Sequence, residues 1–272
     1  MGLRVCDDVL DILARAQFDS AAKELLSGNR GDACFLIVTW FAGDALADDK
    51  VPNVFIEPVG AIPHVHAAGA ISILPIDRYG PNEDVHICGQ PEYPKNVPML
   101  AEVRYVTPGY LAAMGIRQLR GRALSLSPDP WTNKADTVIV NQAFVHQFIP
   151  SGLDPTPQRI NDCNKVDEKT RIVGVVTGVR QTLDQPSISE MDFLADELLV
   201  KNCIGALNEM WLVVRYDGNL NGLIAAPRCA MRQTDPRVPF EMAETMQEVS
   251  GRSLIPARRA ASIDPMQALR IE

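Results

Sequence analysis

Residues Arg104–Ser125 read RYVTPGYLAAMGIRQLRGRALS and combine a strand, a turn and a helix. The alternation over Ala101–Val106 is typical of a half-buried strand. Thr107 is predicted to cap a helix over Pro108–Met114, because proline is favoured at the first helical position. Gly115 should end this helix, since glycine adopts a left-handed conformation at low cost.

The flanking segments continue this alternation. Arg117–Leu124 is predicted to be extended, and Thr137–Asn141 (TVIVN) to be a strand because it is rich in β-branched residues. Gln142–Phe148 should be a short helix ended by Pro150. Further strands are predicted over Ala70–Leu74, Arg171–Val179, Met210–Tyr216 and Pro239–Glu241, and helices over Asn219–Gln233 and Glu244–Ser250. Strands and helices alternate irregularly, which favours an α+β domain.

The N-terminal part differs in its apolar spacing and in its proline and glycine content. Val5–Leu26 has the apolar spacing of an amphipathic helix. Ala33–Phe41 is compatible with a buried strand or a core helix, and periodicity does not decide between them. The region 54–98 is rich in proline and glycine, which predicts short strands and turns, with a loop over Asp77–Asp84.

Composition limits the classes of function. The chain has 272 residues, 46% of them hydrophobic and 22% charged, as in ordinary globular proteins. Its formal net charge of −8 argues against a nucleic-acid partner. The most apolar run, Ala33–Gly43, is about half of the roughly 20 residues that cross a bilayer. Acidic residues interrupt the first 26 residues, so no secretory signal is expected.

The sequence contains two kinds of residue that commonly bind metals, cysteine and histidine. The six cysteines are scattered without a C-x-x-C pair, and are expected to be free thiols rather than a zinc site, although disulfides stay open. His64 and His66 lie two apart in IPHVHAAG, so a strand would place both on one face as a possible metal pair. No acidic residue or cysteine lies close to them in sequence, which favours ordinary surface histidines.

No catalytic, cofactor-binding or metal-binding residue is predicted, and the chain is not expected to be an enzyme. The glycines that could cradle phosphate are Gly109, Gly115, Gly121, Gly174 and Gly178. They form no nucleotide-binding motif, and G-x-S-x-G is absent. The carboxylate pairs are Asp7/Asp8, Glu190/Asp192 and Asp196/Glu197. They lie in polar stretches, where solvation is favoured over acid–base catalysis.

Two further features concern the arginines and a tryptophan. Arg104, Arg117, Arg120 and Arg122 lie close together in sequence. They could form a patch for an anion or a lipid headgroup, but a surface balanced by the acidic excess is favoured. Trp211 opens a strong strand and is expected to anchor the core.

Several stretches resemble, in family order, the periplasmic core domain of MacB-like, FtsX-related ABC transporter permeases. They are Arg104–Ser125, Thr137–Pro150, RIVGVVTGVRQTLDQP at Arg171–Pro186 and the segment Met210–Val249. The final PARRAASIDPMQALRIE resembles the cytoplasmic C-terminus that follows the last membrane helix of these permeases. The resemblance covers about Val54 to Glu272.

The resemblance implies a mixed-sheet, porter-like α+β domain with a smaller strand-rich insertion subdomain. It divides the chain into an unassigned N-terminal helical segment (1–53), the core domain (54–253) and a permease-like tail (254–272). The porter-like parts would cover about 54–120 and 206–253, and the insertion about 121–205. The implied role is mechanical: a separate cytoplasmic ATPase would move the domain through membrane helices. The implied partners are those helices and the ATPase, in a homodimer at the periplasmic face of the inner membrane, with no cofactor.

The sequence departs from the family in three places. His64 stands where the family usually has glycine, and Pro157 replaces a turn glycine in DPTPQRI. At Ser253–Pro256 the domain and the tail are adjacent, whereas membrane helices separate them in the family. This predicts a truncated or internally deleted permease that cannot transport alone. A free-standing periplasmic binding or scaffold protein with the same fold is the alternative, and would need an exposed apolar patch or pocket.

Overall fold

The computed structural model describes residues 34–41, 53–75, 79–91, 99–125, 137–162, 165–179, 186–195, 209–217, 240–245 and 249. The strands are β1 (Cys34–Phe41), β2 (Val65–Ile71), β3 (Asn82–Asp84), β4 (Leu100–Val106), β5 (Gln118–Gly121), β6 (Thr137–Asn141), β7 (Arg159–Asp162), β8 (Lys165–Val176), β9 (Glu190–Leu194), β10 (Glu209–Tyr216) and β11 (Phe240–Thr245). The helices are α1 (Asn53–Gly60), α2 (Tyr110–Met114) and α3 (Gln142–Phe148).

These strands form one mixed sheet in the order β11-β1-β10-β2-β4-β9-β6-β8-β5, with β3 beside β4 and β7 beside β8. The first four strands pair antiparallel, whereas the β4–β9 and β6–β8 pairs are parallel. The mixed sheet and its helices confirm the predicted α+β class. Among the described residues, no helix combines the length and the apolar character that crossing a membrane requires.

Strand β1 resolves the ambiguity of the apolar run near residue 33. Its sequence CFLIVTWF is rich in β-branched and aromatic residues, which fit a pleated sheet. It pairs with β10 over eight residues and with β11 on its other side. The helical prediction for 1–53 is therefore wrong over Cys34–Phe41, which belongs to the same sheet as the region from residue 54. The predicted helices Val5–Leu26 and Asn219–Gln233, and the tail, lie outside the described residues.

The sheet is joined in its middle by a short contact between β2 and β4. Their register contains one residue pair, Ile71 with Val106. The Thr107 amide donates to the Ala70 carbonyl at 2.9 Å, and the Ala70 amide donates to the Thr107 hydroxyl at 2.8 Å. Thr107 therefore bridges two strands. The prediction that it caps α2 is wrong.

Helix α2 begins at Tyr110, two residues later than expected, with Gly109 as its N-terminal cap. Gly115 ends it at φ 70°, which confirms the predicted left-handed stop. A Cβ on Gly109 would lie 2.0 Å from the Ala68 carbonyl oxygen, and one on Gly69 would lie 2.2 Å from the Tyr110 nitrogen. Glycine is therefore needed on both sides, because the start of α2 touches the β2 backbone directly.

Other elements differ from the expectations in extent. Helix α1 lies where strands and turns were predicted, because burial of Ile56 and Val59 outweighs the cost of Pro58 inside it. Strand β2 begins and ends before the predicted strand, β3 lies in the predicted loop, and β8 begins six residues before the predicted strand. β11 continues to Thr245, through the predicted start of the last helix.

Candidate functional site

Four charged side chains meet on one face of the β4–β9 pair. The parallel register places Glu102 opposite Glu190 and Arg104 opposite Asp192. Because side chains two apart along a strand point to the same face, all four project together. Val103 lies between Glu102 and Arg104 in β4, and it pairs with Met191 in β9. Val103 and Met191 belong to an apolar cluster on the opposite face of the sheet.

Arg104 is the centre of this buried charge cluster, which consists of Glu102, Arg104, Glu190 and Asp192. Its side chain has no solvent exposure. Nη2 lies 3.2 Å from Glu102 Oε2, and Nε lies 3.5 Å from Glu190 Oε2. Nη1 donates to the carbonyl of Ile73, in the connection that follows β2.

One guanidinium cannot neutralise three buried carboxylates, so the cluster must hold a proton. Fully ionised, it would carry two uncompensated negative charges in a site that water does not reach, which is prohibitively costly. Asp192 shares a side-chain hydrogen bond with Glu190, and such a bond between two carboxyl groups requires a proton. Burial and the neighbouring Glu190 carboxylate raise the pKa of Asp192 well above its ordinary value. The Glu190–Asp192 pair therefore retains one proton.

Burial and the neighbouring charges also shift the pKa values of Arg104 and Tyr110. Burial lowers the pKa of Arg104, but the carboxylates of Glu190 and Glu102 outweigh it, and the net pKa is raised. Burial likewise raises the pKa of Tyr110, whose ring closes the cluster from α2. The Tyr110 hydroxyl and Asp192 Oδ1 have no hydrogen-bond partner among the described residues. Both residues are at most 3% exposed, so no substrate reaches them in this conformation.

The cluster attaches the connection between β2 and β3 to the sheet. Arg104 holds the Ile73 carbonyl, and the amide of Gly80 donates to Glu102 Oε1. Both ends of the β2–β3 connection are thus attached to β4. The arrangement can hold a proton and fix a junction, whereas acid–base chemistry would require access to a substrate.

Asn141 secures the start of β9. Its Oδ1 accepts from the Phe144 amide at 2.9 Å, which caps α3, and from the Glu190 amide at 3.3 Å. Its Nδ2 donates to the Ile188 carbonyl at 2.6 Å. One buried side chain therefore connects β6, α3 and the start of β9.

The structure corrects two predictions about these charges. Glu190 and Asp192, expected to be solvated, lie on a fully buried central strand. Arg104, expected at the surface, is buried beside them, whereas Arg117, Arg120 and Arg122 are exposed. The physical reason is tertiary: Tyr110 and the β2–β3 connection lie against the charged residues of β4 and β9.

Sequence reasoning missed Glu102 and Asn141. The alternation of Met191 and Phe193 with charged residues is a period-two signal for a strand. Asparagine directly before a helix is a typical capping signal. Neither pattern reveals which remote strand supplies the counter-charge.

The two candidate histidines meet a carboxylate that is 153 residues from His64. His64 Nδ1 lies 3.1 Å from Asp217 Oδ1, and His66 Nε2 lies 3.0 Å from Asp217 Oδ2. Hydrogen bonds from His66 and His64 lower the pKa of Asp217. Among the described residues, no group of three or more His, Cys, Asp or Glu side chains is arranged to hold a metal ion.

His64 also has an unusual backbone. Its φ of 68° is the only positive value at a non-glycine position among the described residues. Such a conformation costs an L-residue about 1–2 kcal/mol, so glycine would adopt it at lower cost. The contacts with Asp217, through the side chain and through its amide to the His64 carbonyl at 3.0 Å, hold the turn.

The remaining candidates have packing roles. Gly121 and Gly174 allow β5 and β8 to approach closely, since an added Cβ would lie 2.1 Å from the Val173 carbonyl oxygen and 2.4 Å from that of Arg122. Gly178 faces Ser187, where a Cβ would lie 2.1 Å from the hydroxyl oxygen. Trp211 is buried in the core, as predicted. Asp7/Asp8 and Asp196/Glu197 lie outside the described residues.

Comparison with solved structures identifies the class of the fold. The periplasmic region of MacB from Actinobacillus actinomycetemcomitans matches with a TM-score of 0.50 and 11% identity, over 88% of this chain and 97% of that one. The extracellular domain of the noncanonic ABC-type transporter YknZ from Gram-positive bacteria matches at 0.46 and 11%, over 76% and 100%. A domain of a putative permease from Porphyromonas gingivalis matches at 0.47 and 15%, over 79% and 90%.

The fold is therefore that of the MacB periplasmic region, as the sequence resemblance predicted. No family model matches the chain, and no curated protein matches it. At 11% sequence identity to the periplasmic region of MacB, the similarity is evidence of a shared fold.

Proposed function

We propose that this chain is a non-catalytic extracytoplasmic domain of an export-type ABC transporter permease. The observation that carries the proposal is the match to the MacB periplasmic region over 88% of this chain and 97% of that one. The buried charge cluster supports it, because its side chains are paired with one another and closed to substrate.

The proposed role is to transmit movement between the membrane and a partner or cargo. In this role the sheet has two halves, β11-β1-β10-β2 and β4-β9-β6-β8-β5. They share one register pair, Ile71 with Val106, beside the hydrogen bonds between Ala70 and Thr107. The charge cluster lies on β4, directly beside that contact, and attaches both ends of the β2–β3 connection. A junction of this kind resists relative movement of the halves, so force applied to one half reaches the other.

We further propose that the chain is an internally deleted form that cannot transport alone. The support is the adjacency of the domain and the permease-like tail at Ser253–Pro256. The division into core domain, insertion and tail remains part of this proposal, with Cys34–Phe41 added to the porter-like part because β1 pairs with β10.

Sequencing of the full transcript tests the deletion. Coding sequence for membrane helices in an adjoining frame near codons 253–256, beside a gene for an ATPase, would support an internally deleted permease. A complete frame with its own export signal would instead support a free-standing periplasmic binding protein.

Calorimetry with the full chain tests the non-catalytic role. Titration with ATP and magnesium should give no heat of binding, because the glycines that could cradle phosphate lie in close packing contacts. A micromolar dissociation constant for the nucleotide would contradict the proposal.

A further inference from the structure

The edge strand β5 and the residues that flank it present a concentrated positive charge. It is the last strand of the sheet order and pairs only with β8 among the described strands. Residues 117–123 are all exposed, and they include Arg117, Arg120 and Arg122. We call residues 117–122 the arginine strand.

This charge is unusual for the chain. Every exposed arginine or lysine among the side chains that the structure describes lies in the arginine strand, although the formal net charge is −8. No aspartate or glutamate occurs between residues 103 and 128. Arg117 and Arg120 take part in none of the ion pairs among the described residues.

We propose that the arginine strand binds an extended acidic segment of a partner protein, which adds as a further strand to the edge of β5 that no described strand occupies. An edge strand offers backbone donors and acceptors to an incoming chain. Arginine presents a planar fork of donors that matches a carboxylate in two parallel hydrogen bonds. The proposal goes beyond the transport role and does not depend on it.

Charges on an edge strand commonly serve to prevent unwanted strand pairing. Three arginines prevent pairing with basic or neutral edges, but they attract an acidic one, so the two effects together select the partner. A phospholipid surface would engage the same guanidinium groups. This edge of β5 favours a peptide, because strand addition satisfies the backbone of β5 and lipid headgroups do not form a ladder with it.

The test measures the binding of labelled synthetic peptides to the full chain by fluorescence anisotropy in low-salt buffer. The probe alternates glutamate with valine. One control replaces glutamate with lysine, and another keeps the glutamates but replaces the valines with proline, which cannot donate to a β-ladder. Phosphatidylglycerol vesicles serve as the lipid probe.

Binding of the glutamate–valine peptide should weaken by at least about tenfold in R117E/R120E. The matched variant R117K/R120K keeps the charge and should lose less, since lysine lacks the planar fork. Thermal melts should show both variants folded, because both side chains are exposed. Salt should weaken binding to the original chain.

Several results would overturn the proposal. They are no binding of the glutamate–valine peptide, equal binding to the original chain and to R117E/R120E, equal binding of the proline-containing peptide, and tighter binding to the vesicles than to the peptide. Equal binding of the proline-containing peptide would reject strand addition specifically.

Discussion

Strands β9 and β5 belong to the same sheet and both carry charge, but the charges of β9 are buried and that of β5 is exposed. β9 (EMDFL) is buried at every position, and β5 (QLRG) is exposed at every position. In β9 the carboxyl groups face Arg104 on the adjacent strand. In β5 Arg120 faces solvent at the end of the sheet, and Arg117 and Arg122 are exposed on either side of the strand. Position in the sheet order, rather than charge itself, decides whether a charged strand forms a junction or a surface.

Removal of Arg104 should have the largest effect on this contrast. R104M would leave the buried carboxyl groups without their cation, and we expect a loss of about 3–5 kcal/mol in the free energy of unfolding at pH 8. The loss should be smaller at pH 5, because the carboxyl groups can then take up protons. Urea unfolding at the two pH values measures it.

R104K is the matched control for that experiment. It keeps the charge without the fork of donors, so its loss should lie between those of R104M and the original chain. A loss below about 1 kcal/mol in R104M would show that the cluster is not the junction described here.

The second test concerns the close approach of α2 to β2, which positions Tyr110 beside the charge cluster. G109A introduces a Cβ within 2.0 Å of the Ala68 carbonyl oxygen, which pushes the start of α2 and Tyr110 away from the sheet. We expect a loss of about 1–3 kcal/mol in the free energy of unfolding. G60A is the control, since a Cβ on Gly60 meets nothing within 4 Å. Equal stability of G109A and G60A would contradict the close approach of α2 and β2.

The arginine strand should give the smallest change in stability. Surface substitutions away from special features usually change the free energy of unfolding by less than about 0.5 kcal/mol. R117Q/R120Q should therefore melt within a few degrees of the original chain, as measured by circular dichroism. A large loss would place these arginines in a structural network like that of Arg104.

The sequence was most informative where local signals agree. β-Branched composition located β6, and glycine located the end of α2 at Gly115. Both signals act within a few residues, so a partner elsewhere in the chain is not needed to interpret them. The ordered motifs also indicated the fold that the MacB periplasmic region shares.

The charge cluster could not be predicted in the same way. Glu190 and Arg104 are far apart in the chain, and only the parallel β4–β9 register brings them together. Asp217 likewise meets His64 across 153 residues. A local pattern indicates that a residue lies on a strand, but the free energy of burying its charge depends on the neighbouring strand and on the residues packed over it.

Asp192 permits the most direct test of the claim that β9 carries a structural, proton-holding junction. Its folded-state pKa is raised, so the stability that its proton provides is complete below the unfolded-state pKa of about 4 and is lost as pH rises through the folded-state value. D192N resembles the protonated acid but does not titrate. The decisive measurement is the free energy of unfolding of both chains between pH 5 and pH 9. We predict that D192N becomes increasingly more stable than the original chain as pH rises. A constant difference, or one that moves in favour of the original chain, would contradict the account.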